Sequence, residues 1–151
     1  MSFALAATMA SCTSKGEPHK PGEILVPQQI RTLAINQSMN GKLVTIEGYA
    51  SFCGAFSSVT VGKKNKMTIY ADGFCKGDKL IDAQIAFGGN SIPLSGEELR
   101  NYAQADKSFE NSTLKFITDD YQEIVNGKLK FSGIIIYNGK DYHLDSVTIH
   151  K

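Results

Sequence analysis

The stretch Val44-Thr45-Ile46-Glu47-Gly48 alternates apolar and polar residues and stops on a glycine, directly after an Asn40-Gly41 turn. The same pattern returns late as Leu129-Lys130-Phe131-Ser132-Gly133, after a second turn at Asn126-Gly127. Period-two alternation places successive side chains on opposite faces of a strand. The first strand is therefore expected over Leu43 to Phe52, with Val44, Ile46, Gly48, Ala50 and Phe52 toward a core. A glycine within a strand loses propensity and marks a bulge, a tight coil or a close approach. Two strands bent in this way suit the wall of a small barrel.

The same reading extends along the chain. Pro27 to Ala34 is a short helix, with Pro27 at its first position and Ile30, Leu33 and Ala34 on one stripe. A short strand is expected at Val59 to Val61, then clearer ones at Met67–Ala71 and Leu80–Phe87. Ser95-Gly96-Glu97-Glu98 has the form of a capping box and predicts a helix to about Ala105, burying Leu99, Tyr102 and Ala103. Leu114–Thr118 is a strand, Asp119-Asp120 its turn, and Tyr121–Val125 the return. Lys128–Tyr137 and Asp141–His150 form a closing hairpin around Asn138-Gly139, a strong type I′ signal. In the last strand Tyr142 and Leu144 are out of phase with Val147 and Ile149, which predicts a bulge at Asp145-Ser146. The fold class is mainly β: a small barrel with one capped helix between the strand meander and the closing hairpin, with a β-sandwich as the alternative.

Composition changes little in this picture. The chain has 151 residues, enough for one domain and a tail, and is 42% hydrophobic and 21% charged. A net charge of +1 argues against a dedicated nucleic-acid binder, which carries a basic surplus.

The N-terminus adds an address. Phe3 to Ala10 is apolar or small, too short to span a bilayer as a helix, and leads into Met9-Ala10-Ser11-Cys12. That run resembles a bacterial lipobox, in which small residues admit the peptidase and the cysteine thiol takes a diacylglycerol. Residues 1–11 thus read as a shortened signal peptide and 12–23 as a lipidated N-terminus with a polar, Pro- and Gly-bearing flexible tether. Residues 24–151 make up the barrel domain. Export to an oxidising compartment leaves Cys53 and Cys75 as either a disulfide or two thiols.

Catalytic signals are weak. Glu97 and Glu98 point in different directions from a helix and suit its positive end. Asp119 and Asp120 lack calcium-loop spacing, and Gly88-Gly89 lacks the lysine of a phosphate loop. Gly62-Lys63-Lys64-Asn65-Lys66 reads as a solvated turn, and His143 and His150 as surface residues. No catalytic residue, metal site or cofactor is assigned.

A short helix, an Asn-rich turn, then Gly41-Lys42-Leu43-Val44-Thr45-Ile46-Glu47-Gly48, closing with Gly127–Gly133 and Val147-Thr148-Ile149, is similar to the OB-like domains of small envelope lipoproteins of Bacteroidetes-type bacteria. The resemblance implies a five-stranded Greek-key barrel whose binding face centres on the second and third strands. On this chain the candidates for that face are Tyr70, Phe74 and Gln84. The segment 106–127 is an insertion on that pattern. The function expected is a non-enzymatic, lipid-anchored module of the cell envelope that binds a protein or glycan. An OB-type single-stranded nucleic-acid binder is the alternative, and a hydrolase using Asp119 or Asp120 ranks last. Palmitate supplied to growing cells should label the protein at Cys12, and Cys12→Ala should abolish the label; labelling that survives the substitution refutes the anchor.

Overall fold

The computed structural model describes residues 16–53, 59–73, 75–88, 100–105 and 110–151. In chain order its first elements are β1 (Glu23–Ile24), α1 (Pro27–Thr32), β2 (Leu43–Ser51), β3 (Lys64–Asp72) and β4 (Lys76–Gly88). There follow β5 (Tyr102–Gln104), β6 (Lys115–Ile117), β7 (Glu123–Val125), β8 (Leu129–Tyr137) and β9 (Tyr142–His150). β2, β3 and β4 form an antiparallel meander, and β8 and β9 a hairpin. β8 runs back along β2, while β9 lies parallel to β4, so five strands close into a ring. This is a mainly β, OB-fold-like barrel, and its closure leaves no pair of separate sheets for a sandwich.

The core follows the alternation. Val44 and Ile46 of β2 are buried, as are Met67 and Ile69 of β3 and Ile81, Ala83, Ile85 and Phe87 of β4. Phe131, Ile135, Leu144 and Ile149 complete the interior from the hairpin. Each fully buried aliphatic side chain contributes about 1.5–3 kcal/mol relative to exposure. Phe52 meets Phe87 edge to face at 5.6 Å, and Phe116 meets Phe131 at 5.9 Å. The second contact seats β6, and with it the small sheet β5-β6-β7, on the barrel. α1 adds Ile30, and Leu33 at its C-cap, to the same core, and the Tyr137 hydroxyl lies against the carbonyls of Leu33 and Asn36 to hold the helix end.

Gly48 is where β2 changes partner. Gly48 is the last residue paired with β8, and Tyr49 the first paired with β3. A Cβ at Gly48 would stand 2.5 Å from the Tyr70 carbonyl oxygen and 2.7 Å from Ile69. The irregularity itself lies opposite: pairing steps from Ile69↔Ile81 to Tyr70↔Lys79, so β4 carries an extra residue, Leu80, and it gains a second before Asp72↔Lys76. The expected bulge in the last strand is present. Ser146 has φ +52°, and the β8–β9 register shifts between Ser132 and Ile134.

Three segments differ from their expected form. The helix expected from Ser95 begins outside the described residues, and its second half is a strand. Tyr102–Gln104 pairs with β4 on one side and β6 on the other, and Ala103 is fully buried between them. The apolar residues that suit a helical stripe also suit this short alternation, and tertiary pairing decides between them. Val59–Val61 is not a strand: the Asn65 side chain bonds both the N–H and the carbonyl of Thr60, giving that backbone local partners instead of a ladder. Residues 16–22, expected within a flexible tether, run along the barrel wall under several hydrogen bonds described below.

Cys53 and Cys75 form a disulfide with their Cα atoms 5.7 Å apart, joining the end of β2 to the β3–β4 turn. Reduction should lower stability by about 3 kcal/mol, from the entropy of a loop this size. Gly48→Ala should cost about 2 kcal/mol, because the new methyl meets backbone. Gly41→Ala, in open space at φ +79°, should cost only about 1 kcal/mol. Urea unfolding curves of the oxidised, reduced and substituted proteins check all three.

Candidate functional site

A groove lies on the barrel wall where Leu80 is extra to the β3–β4 register. It is about 650 Å³ in volume and lies between α1, β3, β4 and the start of β9. Ile30, Ala71 and Leu80 give it an apolar floor, and Tyr142 presents a ring at one side. A smaller hollow of about 220 Å³ adjoins it, sharing Lys79, Leu80 and Tyr142 and adding Asp82 and Asp141. Parallel pairing of β4 with β9 sets Asp82 beside His143, so the groove follows the seam that closes the barrel.

Four of its charges form two ion pairs. Arg31 pairs with Asp78 at 2.9 Å on the rim, both 70% exposed. Lys79 pairs with Asp82 at 3.0 Å, and Asp82 also accepts from the Thr68 hydroxyl at 2.7 Å. Exposed pairs of this kind are worth under about 1 kcal/mol, so a ligand can part them at little cost.

The sequence-derived candidates lie on the same wall but do not form one cluster. Tyr70 stands opposite Tyr49 on one side and Lys79 on the other. Gln84 faces Lys66, and the Thr68–Asp82 pair lies between it and Tyr70. Phe74 and Cys12 lie outside the described residues. Arg31, Asp78, Lys79, Asp141 and Tyr142 were not marked by any local motif. The packing of α1 and the β4–β9 seam bring them together around Leu80, and nothing in a single strand's alternation announces it.

At the far end of β9 is a second polar centre, built on Asp119. This residue is buried in the turn between β6 and β7. Its carboxylate accepts from Asn101 Nδ2 at 2.8 Å, from the His19 backbone N–H at 2.6 Å, and pairs with His19 Nδ1 at 2.7 Å. Arg100 Nε is 3.7 Å away. Arg100 Nη1 also donates to the carbonyls of Gly16 and Glu17, at 3.1 and 3.0 Å, and the guanidinium lies 5.6 Å from the centre of the Tyr121 ring. The Tyr121 hydroxyl accepts from the Gly16 N–H. Further along the arm, the buried Thr45 hydroxyl donates to the Gly22 carbonyl at 2.8 Å, and Ser132 lies 2.7 Å from Thr45. Asp119, Arg100, Tyr121, Thr45 and Ser132 all bond residues 16–22, while Asn101 joins Asp119 to the Ile149 N–H. The cluster is a latch for the N-terminal arm, and the Asp119 carboxylate is occupied by it rather than presented to a substrate.

Burial pushes the Asp119 carboxyl up, but the bonds from Asn101 and His19 and the nearby His19 charge outweigh it and hold the group below the ordinary carboxylate range. A depressed carboxylate stabilises the fold above its unfolded value, near 4, and that contribution is lost as pH falls through the depressed value. The His19 amide should therefore lose hydrogen-exchange protection in acid, with the midpoint below pH 4. At neutral pH, Asp119→Asn should speed tryptic cleavage after Lys15, because the enzyme must pull Gly16 to His19 off the barrel to reach that bond. Unchanged protection and cleavage would show that Asp119 does not hold the arm.

No family model, no curated protein and no solved structure matches the chain, so the functional argument rests on the groove and the latch themselves.

Proposed function

We propose that this protein is a non-catalytic binding module, held in the bacterial cell envelope by a lipid on Cys12, that takes a protein segment or glycan into the groove between α1 and the β4–β9 seam. One observation carries the reading. The groove combines an aromatic side wall, an apolar floor, two internal ion pairs and a further carboxylate, Asp141. Asp78, Asp82 and Asp141 stand beside Arg31 and Lys79. A polyanion entering there would meet three carboxylates, whereas a polar chain of low charge finds hydrogen-bonding groups and a ring to pack on.

The same balance weighs against the nucleic-acid reading. Single-strand binding uses a basic groove with several stacked aromatics. Here Tyr49 and Tyr70 are the one outward aromatic pair among the described residues of the β2–β3 wall, and the carboxylates lie alongside. A hydrolytic role for Asp119 is disfavoured by its bonds to Asn101, His19 and the arm.

Titration with envelope glycan fragments or with peptides from envelope proteins should shift the NMR resonances of Leu80, Asp141 and Tyr142. Tyr142→Ala should weaken the effective ligand by about tenfold or more, as loss of a buried aromatic anchor does. Oligothymidylate at low salt should leave those resonances unmoved. Shifts centred on Tyr49 and Tyr70 that fade steeply with salt would replace this reading with nucleic-acid binding.

A further inference from the structure

The latch and the groove stand at opposite ends of one strand. β9 begins with Tyr142, which lines the groove, and ends at Ile149 and His150. Ile149 is fixed to the latch on both sides: its carbonyl accepts from the Asp119 N–H at 2.7 Å, and its N–H donates to Asn101 at 2.8 Å. A nine-residue strand spans roughly 26 Å, which separates the two features along the barrel wall.

The arm itself is pinned from Gly16 onward. Gly16 and Glu17 give their carbonyls to Arg100, His19 is held by Asp119, and Gly22 by Thr45. Cys12 and Gly16 are four positions apart, a reach of at most about 14 Å for any extended chain. Were the arm free as far as β1, the same cysteine would be eleven positions from Glu23, a reach of about 40 Å. Docking the arm therefore shortens the leash by more than half.

We infer that the latch end of the barrel is the membrane-facing surface, with a lipid bilayer as its partner. The docked arm holds the Asp119–Arg100 end close against the bilayer and points the Tyr142 groove away from it. This rests on the lipid-anchor reading of Cys12. The short reach from Gly16 supplies the orientation: an anchored barrel on a leash of this length cannot turn its other end to the same bilayer without releasing the latch.

The test uses the full, lipidated chain in phosphatidylcholine vesicles that carry nitroxide headgroups. A fluorophore is attached through Lys151→Cys at the latch end or, separately, through Lys140→Cys beside the groove. Quenching at position 151 should exceed that at 140 several-fold. Inserting about twenty Gly-Ser residues after Ser14 should remove the difference, since a flexible chain of that length lets the barrel tumble. Equal quenching at both positions in the native-length protein, with palmitate present at Cys12, overturns the orientation and leaves the anchor standing. A difference that survives the insertion overturns the leash as its cause. Absence of palmitate at Cys12 overturns anchor and orientation together.

Discussion

The parallel contact of β9 with β4 is the interaction on which the remaining architecture depends. Asp82 faces His143 and Ala83 faces Leu144, and with those pairs the five strands become a ring. Closure removes the free edges that β4 and β9 would otherwise expose along the seam. It also brings Leu144 and Ile149 onto Ile81 and Ile85 in a common interior. The groove follows this seam, and the latch takes hold of the far end of the same strand. Without the seam, Tyr142, Lys79 and Asp82 would belong to unrelated hairpins.

The barrel wall carries a second organising demand, the burial of charge. Arg100 and Asp119 are almost wholly inaccessible, an arrangement expensive to desolvate and weakly stabilising in itself. What the pair provides is a set of backbone partners for a segment with little apolar surface of its own. The two carbonyls of Gly16 and Glu17 and the N–H of His19 are satisfied by side chains that lie 83 or more positions away in sequence. Ser132 and Thr45 do the same for Gly22. A polar, Pro- and Gly-bearing stretch is thereby fastened to the wall by hydrogen bonds rather than by packing.

Much of the barrel was legible in local alternation. The inward faces of β2, β4 and β8, the glycine at which β2 changes partner and the phase flip near Ser146 all follow from period-two patterning interrupted by residues with special backbone freedom. What was not legible depends on distant partners. Tyr102–Gln104 has a helix-compatible pattern, yet it is a strand because β4 and β6 each offer it an unpaired edge. Asp119 reads locally as a turn residue, and only the arrival of His19, Arg100 and Asn101 makes it a buried hub. The groove escaped for a related reason. Leu80 is surplus to the β3–β4 register, and a register offset is a property of two strands together. Tyr70 and Gln84, chosen from the usual face of such barrels, share a wall with the groove, but Leu80 and Tyr142 line it.

The Cys53–Cys75 link bears on how the barrel forms as well as on how firmly it holds. Once oxidised, the end of β2 and the β3–β4 turn are neighbours in the unfolded chain, so the β2–β3 pairing no longer requires a search over the intervening loop. Long-range pairing is the slow part of folding for β proteins, because loop entropy is lost before contacts compensate for it. The remaining distant steps are the arrival of β8 at β2 and of β9 at β4, both made by one hairpin. An oxidised chain thus enters folding with its β2–β3 corner already gathered, and the ring closes when the β8–β9 hairpin reaches β2 on one side and β4 on the other.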